Sequence, residues 1–377
     1  MNFRTLDEAG DFAGKKVILR LDLNVPIKDG TVLDDFRIRA AMPSLNFLKD
    51  RGAKVVIISH IGEQGTETLR PIAEYMHIQL LPLVFGETMR SAVDGLQNGE
   101  VMLLENLRRD SGEAGNNEDF AKQLASLVDI YINDAFSVSH RNHASIVLLP
   151  RLLPSYAGFS LKSEIDNLSK AFEPEHPFLF ILGGAKFETK INLVRKFINI
   201  ADQIFVGGAL SNTIFKKMGY EVGKSMVDDK DIDLGFVFES RKVFFPADVM
   251  VLAGGDRVIK KPDQVLPDEN MLDVGGETMN MLKRAIDGSK FVLWNGPLGN
   301  YEKGFKEMTE ELAKYISNSS AKSIVGGGDT LASIQNLGIM DKFTFVSSGG
   351  GAMLDFLANG TLPGIEALSV SSKRLDQ

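Results

Sequence analysis

Near the middle of the chain, Ile181-Leu-Gly-Gly-Ala-Lys-Phe-Glu-Thr-Lys190 sets a glycine pair behind an apolar run and two lysines four residues apart. The run, Pro177–Leu182, reads as a buried strand. Gly183 and Gly184 let main-chain N–H groups approach an anion, and the helix start behind them adds its partial positive charge. Lys186 and Lys190, at i and i+4, share one helical face and can reach the same anion. This suits a phosphate cradle, although it is neither a Walker A loop nor a full G-x-G-x-x-G. A plain tight turn is the competing reading, and the rest of the chain has to decide between them.

Other chemistry-bearing residues also fall at the ends of apolar runs. In the second half these are Gly207-Gly208, Asn295, Pro297, Glu302 and Gly326-Gly-Gly-Asp329-Thr330. Backbone amides there can bind phosphate oxygens while Asp329 holds a Mg²⁺ that bridges them. In the first half the corresponding positions carry Asp22, Asn24, His60, Arg108 and Arg141, and the helix after the first strand carries Arg37. Arginine's planar fork meets phosphate or carboxylate through paired hydrogen bonds, so this set suits a small phosphorylated acid. His60, His140 and His143 match no zinc spacing and read as anion contacts or structural groups. Trp294, the only tryptophan, reads equally as core or as pocket wall. No hydroxyl or thiol nucleophile sits beside a general base. An acceptor that is itself a carboxylate is already ionised at neutral pH and needs none.

The elements that must position these groups alternate along the chain. Strands are expected at Val17–Leu21, Lys54–Ser59, Val101–Leu104 and Val128–Ile132, with helices from about Asp34, Leu69 and Glu118 between them. Asp110–Asn117 is expected as a surface loop. The second half repeats the rhythm, with strands at Pro177–Leu182, Gln203–Val206, Asp248–Leu252, Lys290–Trp294, Ser323–Val325 and Phe343–Val346. This is an α/β pattern of two Rossmann-like domains, each a parallel sheet flanked by helices. An inter-domain helix with a hinge is expected to join them. The boundaries are 1–159, the helix at 160–175, 176–361, and a short polar tail at 362–377.

At 377 residues the chain is long enough for two domains. A net charge of −8 argues against general nucleic-acid binding. There is no cysteine, so thiolate chemistry is excluded. No apolar run reaches membrane-spanning length and the first residues lack a signal-peptide core, so a cytoplasmic protein is expected.

Taken together, Arg20-Leu-Asp-Leu-Asn-Val-Pro26, Asp35-Phe-Arg-Ile-Arg-Ala-Ala41, Ile58-Ser-His-Ile-Gly62, Leu103-Leu-Glu-Asn-Leu-Arg108, Asn133-Asp-Ala-Phe136 and His140-Arg-Asn-His143 resemble the phosphoglycerate kinases. Leu182-Gly-Gly-Ala-Lys186, Trp294-Asn-Gly-Pro297, Gly326-Gly-Gly-Asp-Thr330, Gly349-Gly-Gly351 and Leu362-Pro-Gly364 continue the likeness in order. The resemblance implies reversible phosphoryl transfer between ATP and the carboxylate of 3-phosphoglycerate, giving ADP and 1,3-bisphosphoglycerate, by a monomer using Mg²⁺. It implies that Asp22, Asn24, Arg37, His60, Arg108 and Arg141 hold 3-phosphoglycerate, with Arg37 and Lys186 stabilising the transferring group. Gly183, Gly184, Lys190, Gly207, Gly208, Asn295, Pro297, Glu302, Gly327, Gly328 and Thr330 are implied at the nucleotide, and Asp329 at the metal. It also implies that residues 362–377 return to the first domain.

Three positions depart from the family pattern. Glu63 stands where an arginine that helps bind 3-phosphoglycerate is usual, Ser137 where glycine is usual, and Gly276 where proline is usual. The charge reversal at Glu63 supports a second reading, a non-catalytic relative that binds nucleotide or a protein partner. A nicotinamide-dependent dehydrogenase is a third reading, opposed by the missing G-x-G-x-x-G.

Overall fold

The computed structural model describes residues 3–185, 187–228, 230 and 233–375, with the side chains at 187–189 and 373–375 left aside. Lys186 therefore lies outside the described residues. The chain divides into two compact units, Met1–Asp166 with Thr361–Gln377, and Asn167–Gly360. The division falls inside the helix Phe159–Ser169. That helix is shorter than the expected joint at 160–175, because Glu173-Pro-Glu-His-Pro177 denies it further turns.

In the first unit the strands are β1 (Lys16–Leu21), the short hairpin β2 (Ile27–Lys28) and β3 (Thr31–Val32), β4 (Lys54–Ile58), β5 (Gln79–Leu81), β6 (Val101–Leu104), β7 (Ile130–Asp134) and β8 (Ser155–Ala157). Six of them form a sheet in the order β5-β6-β4-β1-β7-β8. Every pairing in it is parallel. A parallel sheet is covered on both faces, so its strands read as unbroken apolar runs. Along β1, Val17, Leu19 and Leu21 pack into one core and Ile18 into the other. β4 divides in the same way, with Val55 and Ile57 on one side and Val56 and Ile58 on the other.

The C-terminal residues form the helix Pro363–Leu375, which corrects the expectation of a polar tail. It packs within the first unit, Ala367 against Ala135, Val138 and Ile146. The Gly364 N–H donates to the Ser139 carbonyl at 2.9 Å.

The second unit contains β9 (Phe178–Leu182), β10 (Gln203–Val206), β11 (Val243–Phe244), β12 (Val249–Ala253), β13 (Asp256–Lys260), β14 (Asn270–Val274), β15 (Phe291–Asn295), β16 (Lys322–Gly326) and β17 (Phe345–Ser347). Its main sheet runs β11-β10-β9-β15-β16-β17. All of those pairings are parallel. The strand expected at Asp248–Leu252 does not join it. As β12 it pairs antiparallel with β13 and β14 in a separate three-stranded sheet. Gly254-Gly255 between two extended runs is a hairpin signal that the α/β rhythm overshadowed.

Gly276 opens the helix Gly276–Asp287. Asp248 caps that helix from outside, accepting from the N–H groups of Glu277 at 2.9 Å and Thr278 at 2.8 Å. A Cβ on Gly276 would meet nothing within 4 Å. The preceding Gly275 is extended at φ −100 and ψ −177, a conformation that tolerates a following proline. Proline suits a first helical position, so Gly276→Pro is expected to raise unfolding stability by about 0.5–1 kcal/mol. Equilibrium urea unfolding checks this, and a lower midpoint would refute it.

Candidate functional site

The order β6-β4-β1-β7 sets four strand ends side by side in the first unit. Beyond them lie Arg108, His60, Asp22 with Asn24, and Arg141 respectively. Ligands of open parallel sheets bind outside these carboxyl ends. Arg37 enters from the first turn of the helix Phe36–Asp50. Its Nη1 donates to the Asn24 carbonyl at 3.0 Å and lies 3.1 Å from Asp22 Oδ2. The Asn24 side-chain oxygen accepts from the Gly62 N–H at 3.1 Å, tying the β1 and β4 ends together. Ser137 donates its hydroxyl to Asp22, a bond the usual glycine cannot make.

Two residues not expected at the site organise it from beneath. Arg20 is fully buried. It donates through Nη2 to His60 Nδ1 at 3.2 Å and through Nε to the Ser145 hydroxyl at 3.1 Å. Since arginine only donates, His60 Nδ1 is unprotonated, and the neutral ring carries its hydrogen on Nε2. Burial, then Arg20 and the surrounding arginines, hold the His60 pKa well below its ordinary value. Glu113, also fully buried, accepts from the Ser145 N–H at 2.9 Å and hydroxyl at 2.6 Å. This corrects the expected surface loop at Asp110–Asn117, where Ser111–Ala114 is a helical turn. Its short polar composition gave no sign that a carboxylate was needed to balance a buried arginine. His143 stands 3.8 Å from Glu113, and burial together with the nearby arginines pushes its pKa down to about 4.

Arg108 Nη2 and Arg141 Nε are buried and have no hydrogen-bond partner in the protein. Buried donors are normally satisfied, so an orphan N–H on each of two neighbouring arginines marks a place where an anion belongs.

In the second unit the neighbouring ends of β10, β9, β15 and β16 each run into glycine. The segments interlock through the main chain. Gly183 N–H donates to Asn295 O at 2.9 Å, Gly184 N–H to Pro297 O at 2.8 Å, and Gly207 N–H to Leu182 O at 2.8 Å. At Gly208, with φ +62, an added Cβ would stand 2.5 Å from the Gly184 nitrogen. That close approach is what glycine permits. Trp294 is core, fully buried, and its indole N–H holds the Gly296 carbonyl at 2.8 Å.

A cavity of about 550 Å³ opens at this edge, lined in part by Gly184, Gly208, Pro297, Glu302 and Asp329. Asp329 is exposed in the first turn of the helix Gly328–Asn336, whose N-cap is Gly327. Thr330 is buried with an unpartnered hydroxyl. Asn295 is buried, its amide on the Met353 sulfur at 3.5 Å. Lys190 is 5% exposed and its ammonium donates to the Gly183 carbonyl. Asn270–Val274 of β14 supply a wall that the strand-end argument missed.

Asp273 in that wall carries an orphan, buried Oδ2 while Oδ1 accepts from the Val274 N–H at 2.9 Å. Burial pushes its pKa up to about 7, against the help of backbone donors at Val274 and Met308; Glu307 and Arg257 act in opposite senses. A raised acid favours the fold below its unfolded pKa of about 4, and that advantage is lost as pH rises through about 7. Asp273→Asn is therefore expected to stabilise the protein at pH 8 by on the order of 2 kcal/mol and to do little at pH 4. Denaturant unfolding at both pH values decides; equal effects would exclude the linkage.

An arginine-lined anion site and a glycine-lined cavity that carries an exposed aspartate at a helix start are the parts of a phosphotransferase. The family model described as phosphoglycerate kinase matches residues 6–360. The phosphoglycerate kinase of Dictyoglomus turgidum is 39% identical over 381 residues, covering 95% of this chain and 96% of that protein. The one from Xanthobacter flavus is 39% identical over 392 residues, covering 97% and 99%. Among solved structures, the phosphoglycerate kinase of Coxiella burnetii aligns with a TM-score of 0.83 at 33% identity, covering 98% of this chain and 99% of that one. That of Pyrococcus horikoshii OT3 aligns with a TM-score of 0.85 at 31% identity, covering 98% and 100%. The chain belongs to the phosphoglycerate kinase family.

Proposed function

We infer that the chain transfers a phosphoryl group reversibly between ATP and the carboxylate of 3-phosphoglycerate. The observation that carries this is the pair of orphan, buried guanidinium N–H groups on Arg108 and Arg141 beside a neutral His60. In this reading Arg108, Arg141 and the His60 Nε2–H hold the acceptor's anionic groups. Asp22, Asn24 and Ser137 keep Arg37 and the β1 end in place, so that Arg37 presents charge where negative charge develops. The acceptor carboxylate is ionised at neutral pH, so no general base is required.

The nucleotide belongs in the second-unit cavity, with Gly183, Gly184, Gly327, Gly328 and Thr330 assigned to its phosphates, Gly207 and Gly208 to the adenine, Asn295 and Pro297 to the pocket around it and Glu302 to the ribose. Lys190, whose ammonium donates to the Gly183 carbonyl, is assigned to the nucleotide phosphates, and Lys186 to the transferring phosphoryl group from the sequence alone. Among the described residues no three His, Asp or Glu side chains cluster as a metal site. The exposed carboxylate of Asp329 fits Mg²⁺ all the same, because that ion is held by one or two carboxylates together with substrate phosphates. When bound, Mg²⁺ neutralises and orients phosphate oxygens.

We assign acceptor binding to residues 1–159 with 362–377, and nucleotide binding to 176–361. Among the described residues no helix is long and apolar enough to cross a membrane. The absence of cysteine fits a reducing compartment, and we propose the cytoplasm. Nothing in the family comparisons favours a non-catalytic relative. A coupled assay of ADP formation from ATP tests the reading: activity should require 3-phosphoglycerate, and its absence would overturn the assignment.

A further inference from the structure

We propose that Glu63 is a specificity-determining residue, an internal counterion lying across the two arginines that receive the acceptor's anionic end. This rests on the acceptor-site reading above and adds that the acceptor must displace a carboxylate of the protein itself. Glu63 Oε2 lies 3.5 Å from Arg108 Nη1, and Oε1 lies 3.7 Å from Arg141 Nη2. One oxygen faces each guanidinium, which is how an external carboxylate or phosphate would bridge them.

The loop holds Glu63 at that place. Gly62, at φ +67, gives its N–H to Asn24 and its carbonyl to Arg108 Nη1. Gly65, at φ +74, packs so closely on the Arg108 main chain that an added Cβ would stand 2.1 Å from its carbonyl oxygen. Both sides of Glu63 are thus anchored to the segment that carries Arg108 or to its neighbour.

Glu63 is nevertheless a poor occupant. Its side chain is 74% exposed, whereas that of Arg108 is 4% exposed. Both contacts are longer than hydrogen bonds, and Arg108 Nη2 and Arg141 Nε stay without partners. Exposed ion pairs of this kind are weak and readily exchanged. A phosphate end, with more charge and more acceptor oxygens than one carboxylate, can displace Glu63 and satisfy the orphan donors. A lone carboxylate only replaces like with like. The site is therefore tuned to acids that carry a phosphate end, at a cost in affinity for all of them.

The test is Glu63→Gln, which keeps shape and removes charge, with Glu63→Ala as a second variant. Both substitutions are at an exposed position, so folding should not be at issue. Binding of 3-phosphoglycerate and of inorganic phosphate to the full chain is followed by titration calorimetry, and the KM values by coupled assay. Both variants should bind both anions about three- to ten-fold more tightly and lower the KM for 3-phosphoglycerate, with the KM for ATP as the unmoved control. Unchanged or weaker binding of both anions, in a chain that turns over 3-phosphoglycerate, overturns the counterion role and leaves the kinase reading standing. Tighter phosphate binding without any turnover of 3-phosphoglycerate would uphold the counterion and overturn the kinase reading.

Discussion

Arg37→Ala is expected to lower kcat by about 10³-fold while the KM for ATP moves little, because an arginine at a transferring phosphoryl group stabilises charge that exists only in the transition state. Arg37 is suited to that task by how it is held. Its Nη1 is fixed between the Asn24 carbonyl at 3.0 Å and Asp22 Oδ2 at 3.1 Å, and the side chain keeps 28% of its surface exposed. A guanidinium oriented in advance needs no reorganisation as charge develops. The substitution should leave the fold intact, since Asp22 keeps the Ser137 hydroxyl as a partner. Arg37→Lys should recover only part of the rate, because an ammonium cannot keep its anchors and still offer a fork to the phosphoryl oxygens. Steady-state kinetics with thermal melts check this. A kcat within ten-fold of the parent would reduce Arg37 to a binding or structural group.

Asp329→Ala should cost on the order of 10²–10³ in turnover and raise the Mg²⁺ concentration needed for half-maximal activity. Asp329 lines the cavity from the first turn of the helix Gly328–Asn336. Its carboxylate is exposed, so folding does not depend on it beyond the favourable placement of negative charge at a helix start, about 0.5 kcal/mol. Asp329→Asn, nearly isosteric, should lose as much as the alanine variant if charge is what matters. Mg²⁺ titrations of activity, together with nucleotide binding measured with and without Mg²⁺, separate metal binding from phosphate contact. Near-normal Mg²⁺-dependent turnover in either variant would remove Asp329 from the metal.

Part of the candidate site was legible because residues such as Asp22, His60 and Gly183 stand directly or almost directly behind apolar strands. Unbroken runs such as Val55–Ile58 and Phe178–Leu182 are what a sheet covered on both faces requires, and they predict parallel strands with ligands at their carboxyl ends. Asp22, Asn24, His60 and the glycines of the second half are read from that rule. Local pattern does not carry pairing. The order β6-β4-β1-β7 decided which ends become neighbours, and with it that the segments carrying Arg108, His60, Asp22 and Arg141 leave the sheet side by side at one edge. Ser137 reaches Asp22 and Glu113 reaches Ser145 across long stretches of chain, so neither bond appears in any window of sequence. Composition marked Asp110–Asn117 as surface, whereas a fully buried Arg20 called for the fully buried Glu113 as its balance. The alternation that announced β12 as another parallel strand could not tell parallel from antiparallel, since a strand's period is two in either case. Glu63 divides in the same way. Its charge was plain from the sequence, and only the tertiary structure set one of its oxygens against each of two arginines.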